Sequence, residues 1–300
     1  MIKGLLGLLA FGLGVSHASP ADFYGKWSDG QAEIAGYQLK EFRYGQVRDG
    51  QAVLIYVTEP FSRARRVKVD RYDPKNPDHF IALKLNIIKR FQTGIYDYSI
   101  MTSLFADPQD GMQPVKQTFS SQEWCGHVYE ELKFDAKGVE VDTRSYFDGE
   151  TTKTNLRLGR TVTLDSLWIN ARGLTTGGPS GVTFTQSFIG SSTTRRLRHL
   201  PVKIFPAQPR WIQKPNEVTT RAGNFNVKTL VFNRQSGVEC QMHIETDDPY
   251  RVIGWRCNDG EQAMLTGSTR LAYWTRARLG DERLLKGLGL TPMSPETPGQ

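Results

Sequence analysis

The chain has 300 residues, with 38 Lys+Arg against 31 Asp+Glu and a formal net charge of +7. Hydrophobic residues make up 38% and charged residues 23%, the balance of a globular chain rather than a disordered one. After the N-terminus no apolar run reaches the roughly 18 residues of a membrane helix, and Gly and Pro follow no collagen-like period, which excludes polytopic membrane, fibrous and coiled-coil proteins.

Met1–Ala18 reads as a secretory signal peptide. Lys3 supplies the positive end, Leu5–Val15 is uncharged and apolar, and Ser16-His17-Ala18 sets small residues at the cleavage positions. Cleavage after Ala18 leaves a mature chain of formal charge +6. No Cys stands near that site, so the lipoprotein pattern is absent. The lack of an Asn-x-Ser/Thr sequon agrees with a bacterial periplasm or the periphery of the outer membrane.

Strand patterns dominate the rest of the chain. Alternation and β-branched or aromatic residues mark Tyr37–Tyr44, Ala52–Thr58, Arg66–Tyr72, Phe80–Ile88 and Gly94–Phe105. A second group covers Val115–Phe119, Glu123–Phe134, Val139–Phe147 and Thr151–Leu158. A third covers Gly181–Phe188, Val202–Phe205, Phe225–Phe232, a hairpin around Pro249 and Gln262–Trp274. Turn pairs such as Asp49-Gly50, Asp107-Pro108 and Asp148-Gly149 punctuate them. Helical spacing is confined to Leu164–Ala171, with Thr163 or Asp165 as cap, and to Asp281–Leu288. The expected fold is all-β and mostly antiparallel: a large curled sheet, half-barrel or open barrel or sandwich, with one or two short helices. One β-rich domain spans 19–290, with a mobile loop at Gly173–Gly181 and a disordered tail over 291–300. Architecture of this kind offers a concave apolar face that encloses something.

In an oxidising compartment the three cysteines allow one bridge. Cys240 and Cys257 are about equally far from the turn Thr246–Tyr250, which makes a cross-strand disulfide the first expectation. Two separate thiols are the alternative, and Cys125 is then free or the partner of one of them.

Three segments are candidates for chemistry. In Gln122–His127, Glu123, Cys125 and His127 alternate and line up on one face of a strand. That reads as a thiolate activated by imidazole, or as two metal ligands. The plain alternative is a packed strand with Trp124 and Val128 toward the core. No further ligand pair has zinc-like spacing, so no metal is expected. Gly173–Ser180 looks like a phosphate loop but carries Pro179 where the phosphate-binding Lys belongs. The third is the basic segment Arg195, Arg196, Arg198, Lys203, Arg210 and Lys214, with Phe205 and Trp211 interleaved and prolines keeping it extended. It reads as a surface for an anionic envelope partner, or as a solvated sheet edge. Export argues against nucleic acid. Arg63–Arg66 is a smaller cluster of the same kind. No cofactor motif, Gly-x-Ser-x-Gly or His-Glu-x-x-His occurs.

Phe91–Ser99 with Gln122–His127, and Asp248–Trp255 with Ala263–Thr266, resemble exported, uncharacterised bacterial β-rich families. The resemblance implies curled antiparallel sheets similar to periplasmic lipoprotein carriers. It carries over no catalytic residue, and the missing lipidation Cys departs from lipid-anchored members. The expected function is therefore non-enzymatic: an exported protein that holds a lipid, another amphipathic or apolar ligand, or an envelope partner. The rivals are a Cys125/His127 hydrolase or transferase and a structural protein without a small ligand.

Overall fold

A computed structural model describes residues 20–157 and 159–293. Met1–Ala18, where a signal peptide is expected, and residues 294–300 of the expected tail lie outside the described residues, as does Leu158, where the strand expected from Thr151 ends.

Helix α1 (Pro20–Trp27) leads into a meander of β1 (Ala32–Arg43), β2 (Gln46–Ser62), β3 (His79–Thr93), β4 (Tyr96–Asp107), β5 (Gln113–Glu123), β6 (Gly126–Asp135), β7 (Gly138–Ser145) and β8 (Thr152–Leu156). An irregular excursion holds β9 (Thr161–Thr163), α2 (Leu167–Asn170), β10 (Ser187–Ile189), α3 (Ser192–Arg198) and β11 (Ile204–Phe205). The chain then returns through β12 (Arg210–Trp211), β13 (Asn216–Thr220), β14 (Gly223–Asn233), β15 (Glu239–Glu245), β16 (Val252–Cys257) and β17 (Gln262–Leu271). β17 pairs antiparallel with β1, so both meanders belong to one sheet of 14 strands, open at β8 and at β12/β13. It is a curled, mostly antiparallel sheet and not a closed barrel. β9, β10 and β11 form a small separate sheet.

The period of two along each strand sorts residues onto two faces. In β1 and β2, Tyr37, Leu39, Leu54 and Tyr56 point to the inner face, while Ile34, Val53, Ile55 and Val57 point outward. The expected concave apolar face exists, but the chain fills it with itself. Val162, Leu164, Leu167, Trp168, Ile169 and Phe188 of the excursion pack there against Tyr37, Tyr56, Phe232 and Trp255. Each such buried side chain contributes about 1.5–3 kcal/mol relative to exposure.

Polar groups fix where the filler sits. Tyr56 Oη donates to the Trp168 carbonyl at 2.7 Å. Arg172, wholly buried, makes a two-pronged pair with Glu33 at 2.8 and 2.9 Å and also donates to the Tyr250 and Pro249 carbonyls. Burial pulls its pKa down, but the Glu33 carboxylate outweighs burial and the net shift is upward. Elsewhere on this face Lys89 bridges Glu41 and Glu261 at 2.9 and 2.8 Å, and Arg234 closes on Glu261.

The outer face is covered in part by residues 272–293. Leu288 and Leu290 pack on Ala32, Ile34 and Val57. Gly36 and Gly267 are cross-strand partners in β1 and β17. A Cβ at Gly36 would stand 2.3 Å from the Leu288 carbonyl oxygen, and one at Gly267 would stand 2.2 Å from that of Gly287. The glycine pair is thus the seat on which the cover's backbone rests.

Several sequence expectations need correcting. Arg66–Tyr72 is a loop with one isolated bridge, Phe61 to Lys68. Asp78 folds it by accepting from Ser62 Oγ and Ala64 N. Gly181–Phe188 is strand only from Ser187 onward. Asp281–Leu288 is helical at the expected residues but as a 3-10 run. Leu164–Ser166 is a 3-10 turn that leads into α2. Asp165 caps neither; its carboxylate is buried and accepts from Gln117 Nε2 and Ser192 N. Gly173–Gly181 is closed on itself by Gly178 N to Gly173 O, with Pro179 buried and Gly178 against the Tyr250 ring. The cross-strand bridge, by contrast, is as expected: Cys240 and Cys257 lie opposite each other in β15 and β16 and form the disulfide.

Candidate functional site

Two segments that looked unrelated in sequence meet at one end of the sheet. The expected strand Glu123–Phe134 is a hairpin junction: Glu123 pairs with Gly126, and Trp124-Cys125 is the two-residue turn. The turn reverses side-chain parity, so Glu123 and His127 face opposite sides. Glu123 points inward, where its carboxylate meets Arg196 of α3 at 3.2 Å, both side chains being 2% exposed. Its other oxygen accepts from Cys125 N at 2.7 Å. Trp124, expected toward the core, is exposed.

This geometry removes the activated thiol. Cys125 is free and exposed. The hydrogen bond to Glu123 and the charge of that carboxylate raise its pKa. A nucleophilic Cys needs the reverse, a cationic neighbour that lowers it. His127 is exposed on the outer face. Among the described residues no group of three His, Cys, Asp or Glu side chains is placed to hold a metal ion.

The basic segment is not one surface either. Residues 192–198 contain no proline and form α3, with Ser191 accepting from Thr194 N as the N-cap. Arg195 is buried and makes a two-pronged pair with Glu130. Burial pushes the Glu130 carboxyl up, but Arg195, Ser192 and Thr143 hold it below its usual range. Arg198 pairs with Asp259 at 2.6 Å, and Arg210 with Glu239 at 3.2 Å. Trp211 donates its Nε1–H to the Val182 carbonyl and lies under Lys228. Lys203 and Lys214 are exposed. Arg195 and Arg196 are thus taken up by buried carboxylates, while Arg198 and Arg210 pair nearer the surface. Arg63 and Arg66 of the smaller cluster bond to Asp107 and to the Arg63 and Val115 carbonyls.

The apolar space lies elsewhere. Between the outer face and the cover runs a groove of about 650 Å³, within the roughly 300–1,000 Å³ of small-molecule sites. Val53, Ile55 and Ile88 of β2 and β3 form one wall; Leu279, Leu284 and Leu285 of the cover form the other. Arg90, Arg276 and Arg278 stand at its margin. Among the described residues none of these three guanidinium groups pairs with a carboxylate. The lining acids are occupied locally, Asp281 by Arg278 N and Glu282 by Gly280 N.

Sequence reading missed this groove. Its signals were two glycines inside strand patterns at positions 36 and 267, and Arg276-x-Arg278-Leu279 ahead of Leu284, Leu285 and Leu288. No protein-family model, curated protein or solved structure matches the chain, so the reading rests on its own geometry. No helix among the described residues is long and apolar enough to cross a membrane.

Proposed function

We propose that this is an exported, non-enzymatic envelope protein that binds a single-chain amphiphile with an anionic head. The outer groove takes the chain. The observation that carries this reading is an open apolar groove of ligand size, bordered by three guanidinium groups that have no carboxylate partner among the described residues. Apolar walls favour an alkyl chain through burial, and an anion at the margin meets Arg90, Arg276 or Arg278. The Cys240–Cys257 bridge agrees with an oxidising compartment. The resemblance to periplasmic carriers points the same way, with the ligand on the opposite face from the expected one. The Cys125/His127 hydrolase or transferase reading is the less favoured one, because Glu123 and His127 face opposite sides of their hairpin and Cys125 lies beside a carboxylate.

Calorimetric titration with laurate and palmitate, below their micelle concentrations, tests it. Saturable binding of one ligand per chain is expected. Val53→Trp, which fills the groove, should weaken it about tenfold or more, and dodecanol should bind more weakly than laurate. Absence of saturable binding, or binding indifferent to Val53→Trp, overturns the reading and leaves a structural role for the cover.

A further inference from the structure

A second cavity, of about 610 Å³, opens on the inner face near the β8 edge, where β6, β7 and β8 look toward α3. Its lining is more polar than that of the groove. The Arg195–Glu130 pair forms part of it, and Thr143, Thr152 and Thr154 bring hydroxyls from adjacent strands. Phe147 contributes a ring, and Arg196 and His199 come from the end of α3.

Two charge pairs cancel here, Arg195 with Glu130 and Arg196 with Glu123, and His199 Nδ1 lies against the Glu150 carboxylate. Asp148 at the lining adds a further negative charge. No net positive field selects an anion. Hydrogen-bonding capacity is what remains. Arg196 is 2% exposed, stacked 3.9 Å above the Phe147 ring, and its Nε and Nη1 have no acceptor among the described residues. Burial lowers its pKa, as expected for a guanidinium short of partners. Leaving buried N–H groups unsatisfied is costly, and an acceptor supplied by a ligand relieves the cost.

We infer that this cavity is a site for an uncharged saccharide. Guanidinium and carboxylate groups are planar and two-pronged, which suits vicinal hydroxyls that both donate and accept. Arg196 donates to ring hydroxyls and Glu150 accepts from them, while Phe147 offers apolar surface to a C–H face. The trapped pairs supply specificity without attracting ions. This site is independent of the amphiphile groove on the other face.

An array of neutral and acidic glycans, followed by saturation-transfer NMR on the hits, tests the inference. At least one neutral saccharide should show saturable transfer. Thr154→Trp fills the cavity from an edge strand with a good strand former and should abolish the signal; Arg196→Gln should weaken it about tenfold. Laurate binding in the groove should be unchanged in Thr154→Trp, which also reports an intact fold. The inference is overturned if no neutral glycan gives a signal sensitive to Thr154→Trp. It is also overturned if inorganic phosphate or acidic glycans bind in preference.

Discussion

On its inner face the sheet meets residues 161–211 through buried ion pairs, side chain-to-carbonyl hydrogen bonds and aromatic packing; on its outer face it meets residues 272–293 through leucines and a pair of glycines. Arg172–Glu33 and Arg195–Glu130 each require one register, because a displaced partner would leave a charge alone in the interior. Apolar contacts carry no such demand. The cover is held at Leu288 and Leu290, with Thr266 Oγ1 donating to the Leu288 carbonyl at 2.6 Å, and it stands away from the sheet beyond them. Directional clamps fix the inner filler in one register and leave a polar cavity near β8. Non-directional contacts leave an apolar groove.

The largest expected effect breaks a clamp. Arg172→Met leaves Glu33 buried without its partner and should cost about 3–5 kcal/mol in urea unfolding. Arg172→Met with Glu33→Leu should recover most of that. A single-variant loss under about 1 kcal/mol would show that the inner face does not depend on this pair.

Next comes a polar contact outside both covers. His243 is buried on β15, with Nδ1 2.9 Å from Thr229 Oγ1. Burial, helped by Arg256, pushes its pKa down to about 4 from 6.5. Between these values the unfolded chain binds the extra proton, so stability is full above pH 6.5, falls as pH drops toward about 4, and levels off below. The loss is on the order of 3 kcal/mol. His243→Gln should flatten the profile in that window, read from thermal unfolding at several pH values. An unchanged profile would assign the acid sensitivity to other groups.

Lifting the cover is a smaller perturbation. Gly36→Ala forces a Cβ against the Leu288 carbonyl and should cost about 1–3 kcal/mol. Hydrogen exchange over residues 281–290 should quicken while α2 and α3 keep their protection. Equal loosening of both faces would erase the contrast between them. The smallest effect is at Cys125, exposed, where the Glu123 carboxylate outweighs the Arg196 and Arg43 charges and raises the thiol pKa. Cys125→Ser should change stability by less than about 0.5 kcal/mol, and iodoacetamide should modify the thiol slowly at neutral pH.

The sheet was legible in sequence because alternation is a local signal. Tyr37, Leu39, Leu54 and Tyr56 announce their face by spacing alone. The Cys240–Cys257 bridge was legible because both residues flank one turn. What fills the concave face was not, since Trp168 and Arg172 find partners more than 100 residues away in Tyr56 and Glu33. The Glu123–Cys125–His127 alignment failed for a local reason: a two-residue turn with no Gly or Asn at its centre looks like continuing strand. The basic run misled because charge in sequence does not reveal its counter-charge. Glu130 and Glu123, 65 and 73 residues from Arg195 and Arg196, neutralise them. The groove was hidden because the pairing of Gly36 with Gly267 across β1 and β17 depends on the first and last strands of the sheet being neighbours.

Hydrogen exchange with and without palmitate is the most direct test of the amphiphile groove. Binding there predicts slower exchange in residues 281–290 and in β2 and β3 beneath them, with no change in α3 or β8. Protection confined to α3 and β8, or none at a palmitate concentration that saturates calorimetric binding, would contradict it.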